Sequence, residues 1–346
     1  MKRFVAVGLG VCAAMASSIV ANAADSPQFR GPARDGIYAD TGLLKTWPGD
    51  GPRMAWKAEG IGEGYASASD VAGTVYLTGM LEDEQGYVFA LDPKTGKEKW
   101  RVAYGRETQD KQAPGARSTP TIDGDRLYVF SGLGLLTCLS TKDGKQVWQV
   151  DVRNTFNGQS VTWSFAESPL VDGDLVFATP GGPDAAVVAL NKMTGETVWQ
   201  SKGFSEASAY CSPSIFTFGG NKVLVTMTAK SAIGVDAKTG KALWSHLHET
   251  EYDIHAVTPA VSGNIMYYTG GYGSGGGALE VSADGSSVKP LWSDKHLDCQ
   301  HHGVVLLDGY VYGTGHKNNK LVCLELKTGK LMWETDEVTQ GDIAFA

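Results

Sequence analysis

The chain has 346 residues, with 38 aspartates and glutamates against 30 lysines and arginines and a net charge of −8. That balance excludes nucleic acid as a partner, because holding phosphates needs a positive footprint. The length allows two ordinary domains, but a regular internal period overrides length as a domain count, and such a period runs through most of this chain.

At the N-terminus, Lys2 and Arg3 precede an apolar run from Phe4 to Val20 and then Ala21-Asn22-Ala23. This is the three-part form of a secretory signal peptide cleaved after Ala23. The mature chain is therefore expected to be periplasmic or secreted, with no transmembrane anchor. Cleavage deletes two cations and no acid, so 28 basic residues face 38 acidic ones and the net charge becomes −10. Four cysteines remain: Cys138, Cys211, Cys299 and Cys323. Cys138 and Cys323 stand where Ala90 and Ala189 stand in other repeats, so they are expected to act as small buried hydrophobes.

Residues 24–52 form a polar arm without periodicity that carries Phe29-Arg30-Gly31-Pro32, Arg34-Asp35-Gly36 and Trp47-Pro48. Residues 53–346 read as one repetitive domain. Arg53 to Ala58 is expected to be a lone outer strand bearing Trp56, completing a blade begun elsewhere in the chain.

From Tyr65 onward each unit repeats one plan. A polar lead-in ending in Ser-x-Pro or Ser-Pro opens an apolar strand, an Asp-Gly or Gly-Asn turn follows, and a β-branched and aromatic strand comes next. Examples are Ser118-Thr119-Pro120, Ser168-Pro169 and Ser212-Pro213; Thr258-Pro259 opens unit five, and unit six substitutes Gly303-Val304. Each unit then closes with a hairpin typified by Val187 to Trp199: an apolar strand, an Asp, Asn or Ser that accepts a backbone N–H two residues on, a Gly where φ turns positive, and a strand ending on Trp. The Trp recurs at 56, 100, 148, 199, 244, 292 and 333, at spacings of 41 to 51 residues. Strands alone at that period predict an all-β β-propeller of four-stranded blades.

In a propeller the lead-ins converge on one face around the central channel. Arg117, Glu167, Tyr210, His255, His301 and His302 each lie one to four residues before a blade opening, so they are the candidate ligand- or cofactor-binding residues; no catalytic residue is assigned. All seven histidines follow Trp244, but no carboxylate and Cys spacing accompanies them, and no metal site is assigned. Gly270 to Gly277 enters a strand instead of a helix N-terminus, which excludes a dinucleotide loop; it reads as a flexible loop.

The recurring Ala-Leu-Asp-x-x-Thr-Gly-x-x-x-Trp pattern resembles the PQQ-like (pyrroloquinoline-quinone-type) propeller repeat over Tyr65 to Trp333. That repeat builds quinoprotein dehydrogenases and the scaffold lipoprotein of outer-membrane protein assembly. The resemblance implies eight blades when complete and a natural C-terminus beyond Ala346. For the dehydrogenases it also implies two adjacent cysteines beside a quinone, with Glu, Asn and Asp around calcium; this chain has no Cys-Cys pair and no acid-rich cluster, so a PQQ cofactor is possible only without those key features. The expected function is a non-catalytic binding or scaffolding module holding a protein or small-molecule ligand at the funnel face. The competing readings are a quinone-dependent oxidoreductase and an accessory domain in extracellular carbohydrate metabolism.

Overall fold

The computed structural model describes residues 24–160 and 162–346. The expected signal peptide lies outside the described residues. Among them, 24 strands form six four-stranded antiparallel sheets, each made of four strands in chain order. Blade 1 is β1 (Ser69–Val71), β2 (Thr74–Met80), β3 (Gln85–Leu91) and β4 (Glu98–Arg106). Blade 2 is β5 (Thr121–Asp123), β6 (Arg126–Phe130), β7 (Leu135–Ser140) and β8 (Gln146–Asp151), after which α1 (Val152–Thr155) makes a single turn. Blade 3 is β9 (Leu170–Asp172), β10 (Leu175–Ala178), β11 (Val188–Asn191) and β12 (Thr197–Gln200). Blade 4 is β13 (Ser214–Phe218), β14 (Asn221–Met227), β15 (Ser231–Asp236) and β16 (Ala242–Leu247). Blade 5 is β17 (Ala260–Ser262), β18 (Ile265–Gly270), β19 (Gly275–Val281) and β20 (Val288–Asp294). Blade 6 is β21 (Val305–Leu307), β22 (Tyr310–Thr314), β23 (Leu321–Glu325) and β24 (Leu331–Thr335).

The hairpin chemistry is as the sequence dictates. Asp92 Oδ1 accepts from Lys94 N, Thr95 N and the Thr95 hydroxyl, and Asn191 and Asp236 cap the equivalent turns of blades 3 and 4. The third and fourth strands slip register just before each turn, at Ala90/Leu91, Cys138/Leu139, Ala189/Leu190 and their equivalents. Such a bulge increases local twist, which suits sheets set radially.

The core lies between sheets. Val129 and Leu139 of blade 2 pack with Val88 and Ala90 of blade 1; Leu136 and Trp148 pack with Val176 and Leu190 of blade 3; Val225 and Trp244 of blade 4 pack with Met266 and Leu279 of blade 5. No blade buries its faces alone, which is why a single repeat cannot fold by itself. The four cysteines are free and buried within these layers.

Trp56 is not on a strand: residues 53–58 carry no sheet pairing. Its ring nevertheless lies on the blade 1 hairpin, with Nε1 donating to Pro93 O at 2.7 Å. Trp100, Trp148, Trp244 and Trp292 make the same bond to the next blade, to Thr141 O, Lys192 O, Gly285 O and Leu326 O. The predicted strand is absent, but the role of its tryptophan is kept.

The Gly270 to Gly277 stretch also departs from the expectation of a flexible loop. Gly275, Gly276 and Gly277 belong to β19 and are buried, and a Cβ on Gly277 would sit 2.6 Å from Trp292 O. These glycines permit close sheet pairing.

First strands are the innermost, since β1 meets β5, β5 meets β9 and β17 meets β21. The arm runs along them. Ser26 pairs with Asp70 of β1, Pro27 O accepts from Ile122 N of β5 at 2.8 Å, and Tyr38 N donates to Phe345 O at 2.8 Å. Arg30 and Arg34 are both buried with φ near +60°. Arg30 donates to Val304 O at 2.8 Å and Asp342 Oδ1 at 3.2 Å, and it crosses the bare Cα of Gly303, a place where any Cβ would collide with the guanidinium. The unusual Gly at the head of unit six is the seat for this arginine.

Candidate functional site

The lead-ins of all six blades converge on one cavity of about 500 Å³, with Phe29 of the arm in its wall. Blade 1 contributes Tyr65, blade 2 Gln112, Ala113 and Arg117, and blade 3 Trp163, Ala166 and Ser168. Blade 4 adds Tyr210 and Ser212, blade 5 Ile254, Ala256 and Tyr272, and blade 6 His301.

The lead-ins alternate as extended chain does. Ala166, Tyr210, Ala256 and His301 stand two residues before the blade opening and face the cavity. Glu167, Cys211, Val257 and His302 stand one residue before it and are not in the wall; the first three are buried, Cys211 and Val257 in the layers between blades. His255, three residues before, also turns away, while Ile254 at four faces in. Of the six residues singled out from sequence, Arg117, Tyr210 and His301 therefore meet in one wall, whereas Glu167, His255 and His302 do not line it. Arg117 departs from the alternation because its long side chain turns back, donating to Trp163 O and Ala113 O.

Glu167 is fully buried, accepting from Thr179 N and the Thr179 hydroxyl. Burial pushes its carboxyl up to about 7 even though Thr179 and Arg34 pull the other way. Arg34 lies near it, donating to Ser168 O at 2.7 Å and Pro169 O at 3.0 Å, and burial lowers its guanidinium to about 10. His255 is buried against His248, with Nε2 3.1 Å from His248 Nδ1. His248 in turn contacts the Tyr268 ring edge-on at 4.9 Å, and the Tyr268 hydroxyl bonds His246 Nε2 at 2.9 Å. Burial drives His248 down to about 3 and His255 to about 4. The histidine cluster joins blade 4 to blade 5, and Arg34 joins the arm to blade 3.

Inside the cavity, Trp163 and Tyr210 stand with ring centroids 6.2 Å apart. Trp163 N donates to the Tyr210 hydroxyl at 3.1 Å, and Trp163 Nε1 donates to Gln112 Oε1 at 2.9 Å. Tyr272 is braced by His316, 4.8 Å away, and by Gln300 Nε2 on its hydroxyl. Sequence reasoning missed Trp163, Tyr272 and Phe29. The alternation would have found Ala166 and Ala256, and counting back from each Ser-Pro is the available signal; the arm and the blade 5 loop have none.

A family model described as outer membrane protein assembly factor BamB matches residues 84–335. The chain belongs to this family. A BamB from Burkholderia pseudomallei is 25% identical over 325 residues, covering 90% of this chain and 76% of that one. The quinoprotein ethanol dehydrogenase of Pseudomonas aeruginosa is 31% identical over 159 residues, but those are 46% of this chain and only 21% of the enzyme. The chain thus spans a small part of the curated dehydrogenases it matches. The crystal structure of a quinohemoprotein alcohol dehydrogenase from Comamonas testosteroni superposes with a TM-score of 0.57 at 12% identity, over 92% of this chain and 73% of that one, and so shares the propeller fold.

The BamB-type repeat and the dehydrogenase repeat share one scaffold, so the site decides how far each likeness extends. Among the described residues no three His, Cys, Asp or Glu groups gather as metal ligands, and the cavity wall holds no carboxylate and no cysteine. These residues do not fit a calcium-bound quinone beside paired cysteines. Among the described residues no helix is long and apolar enough to cross a membrane.

Proposed function

We propose that this chain is an exported, non-catalytic scaffold of the cell envelope that holds a partner protein over the cavity face. The observation that carries this reading is the cavity itself: six lead-ins and the arm supply aromatic rings, one arginine and neutral polar groups, and none of the acids or thiols that quinone chemistry in this fold relies on. Concave, mostly apolar sites with a few placed polar groups are binding sites by default. A likeness to an outer membrane protein assembly factor that runs along nearly the whole chain is consistent with it.

The test is genetic and biochemical together. Deleting the gene in its host should reduce the folded, heat-modifiable fraction of outer-membrane β-barrel proteins, and the wild-type copy should restore it while a Trp163→Ala, Tyr210→Ala double variant should not. Unchanged barrel levels, together with dye reduction by purified protein supplied with pyrroloquinoline quinone, calcium and an alcohol, would replace this reading with the oxidoreductase one.

A further inference from the structure

The cavity wall carries one permanently charged group. Arg117 is half-buried in its wall; its bonding partners are the carbonyls of Trp163 and Ala113, and the nearby Asp110 and Glu107 carboxylates favour its charged form without bonding to it among the described residues. Those two bonds leave about three of its five N–H groups unused. Tyr210 accepts from Trp163 N at 3.1 Å and has no acceptor for its own proton among the described residues. No Asp or Glu lines the wall, in a chain where acids outnumber bases by 38 to 30. A cation and a free hydroxyl proton thus face the same aromatic cavity. A partly desolvated guanidinium gains most from an incoming anion, because charge-assisted hydrogen bonds are roughly twice as strong as neutral ones.

The surrounding rings restrict what that anion is attached to. Trp163, Tyr210 and Tyr272 present faces and edges on which an aromatic side chain packs favourably. The arm shows how backbone is accommodated here: each sheet turns its first strand inward, and Ser26 and Pro27 pair with Asp70 and Ile122 of two such strands without forming a sheet of their own. An extended segment can therefore add main-chain bonds to inner edges while its side chains enter the cavity, as in strand-addition recognition.

Building on the scaffold reading, we propose that the cavity captures an acidic residue flanked by aromatic side chains in an extended peptide segment of the partner, with the carboxylate seated between the Arg117 guanidinium and the Tyr210 hydroxyl.

Calorimetric titration of the intact mature protein with acetyl-Ser-Tyr-Glu-Phe-Ser-amide and with its Glu-to-Gln counterpart tests this. The Glu peptide should bind about tenfold more tightly, the size of one charge-assisted hydrogen bond. That margin should vanish in Arg117→Gln and shrink in Tyr210→Phe. Should Arg117→Gln fail to fold, the wild-type protein gives the same answer through salt: affinity for the Glu peptide should fall with added sodium chloride while that for the Gln peptide stays level. Equal binding of the two peptides, at any salt, overturns the carboxylate seat; the scaffold reading then still stands if barrel assembly depends on Trp163 and Tyr210. Displacement of the Glu peptide by benzoate at equal concentration overturns the peptide in favour of a small aromatic acid. Binding of neither peptide alongside quinone-dependent dye reduction overturns both readings together.

Discussion

The ring of Trp199 lies across Gly240, and a Cβ added to that glycine would sit 2.5 Å from the indole Cε3. The same overlap recurs for Trp56 on Gly96, Trp148 on Gly195 and Trp292 on Gly329. Each of these four glycines therefore does two things: it supplies the positive φ of the turn, and it leaves room for the tryptophan that precedes its blade.

Two glycine substitutions separate those roles. Gly240 has φ +77° under the indole, whereas Gly124 has φ +59° with nothing near its would-be Cβ. Gly124→Ala should cost about 1 kcal/mol, the backbone contribution alone. Gly240→Ala should cost about 2–4 kcal/mol, because overpacking adds to it. Urea midpoints at constant m-value provide the measurement, and equal costs would mean that the tryptophan is not tightly held.

Arg34 gives the second prediction. It is buried with two carbonyl acceptors and the Glu167 carboxyl nearby. Arg34→Ala should lower stability by about 2–4 kcal/mol, since both carbonyls lose a charged donor, while Arg126→Ala, whose guanidinium pairs with exposed Asp125, should change it by less than about 1 kcal/mol.

The third prediction concerns pH, where two sets of buried groups oppose each other. Glu107 and Glu167 have folded values near 7, above the ordinary carboxyl, so they favour the fold below about pH 4.5 and lose that contribution as pH rises through 7. His248 and His255 have folded values near 3 and 4, below the ordinary imidazole; their contribution is complete above about pH 6.5 and disappears as pH falls toward those values. Glu167→Gln should therefore gain melting temperature relative to wild type between pH 5 and 8. His248→Phe should gain relative to wild type as pH is lowered from 7 to 4. Parallel pH profiles for variant and wild type would contradict the assignment.

The two neighbouring histidines supply the fourth. His301 lines the cavity and His302 does not, and replacing either by Ala should cost within about 0.5 kcal/mol of stability. His301→Ala should weaken binding of the acidic peptide severalfold while His302→Ala leaves it unchanged. The reverse order would mean that the alternation is misassigned at blade 6.

Much of the architecture was legible because it is written locally. The Asp92-Thr95-Gly96 and Asn191-Thr194-Gly195 turns are fixed by bonds spanning two or three residues, and such chemistry repeats visibly in a sequence. The site was legible only in part. Tyr210 and Cys211 are adjacent letters, yet one faces the cavity and the other the blade interface, so position before a Ser-Pro identifies the lead-in but only its parity identifies the facing side. Glu167 reads as a polar lead-in residue because nothing nearby reveals Thr179 and Arg34 waiting to enclose it. The course of the arm was not legible at all: Arg30 and Arg34 find their acceptors 274 and 134 residues away, and no local pattern encodes contacts at that range.

The arm has a consequence for how disturbances spread. In an array whose units touch only their neighbours, stability is a sum of local and nearest-neighbour contributions, and an opening at one end is not felt at the other. Residues 26–38 join Asp70 of blade 1, Ile122 of blade 2, Pro169 of blade 3 and Val304 of blade 6 by direct bonds. The line of blades is thereby wired as a circuit with a common hub. Loosening blade 6 around Gly303 releases Arg30, and through Arg30 it reaches the inner strand of blade 1 without passing through the blades between them.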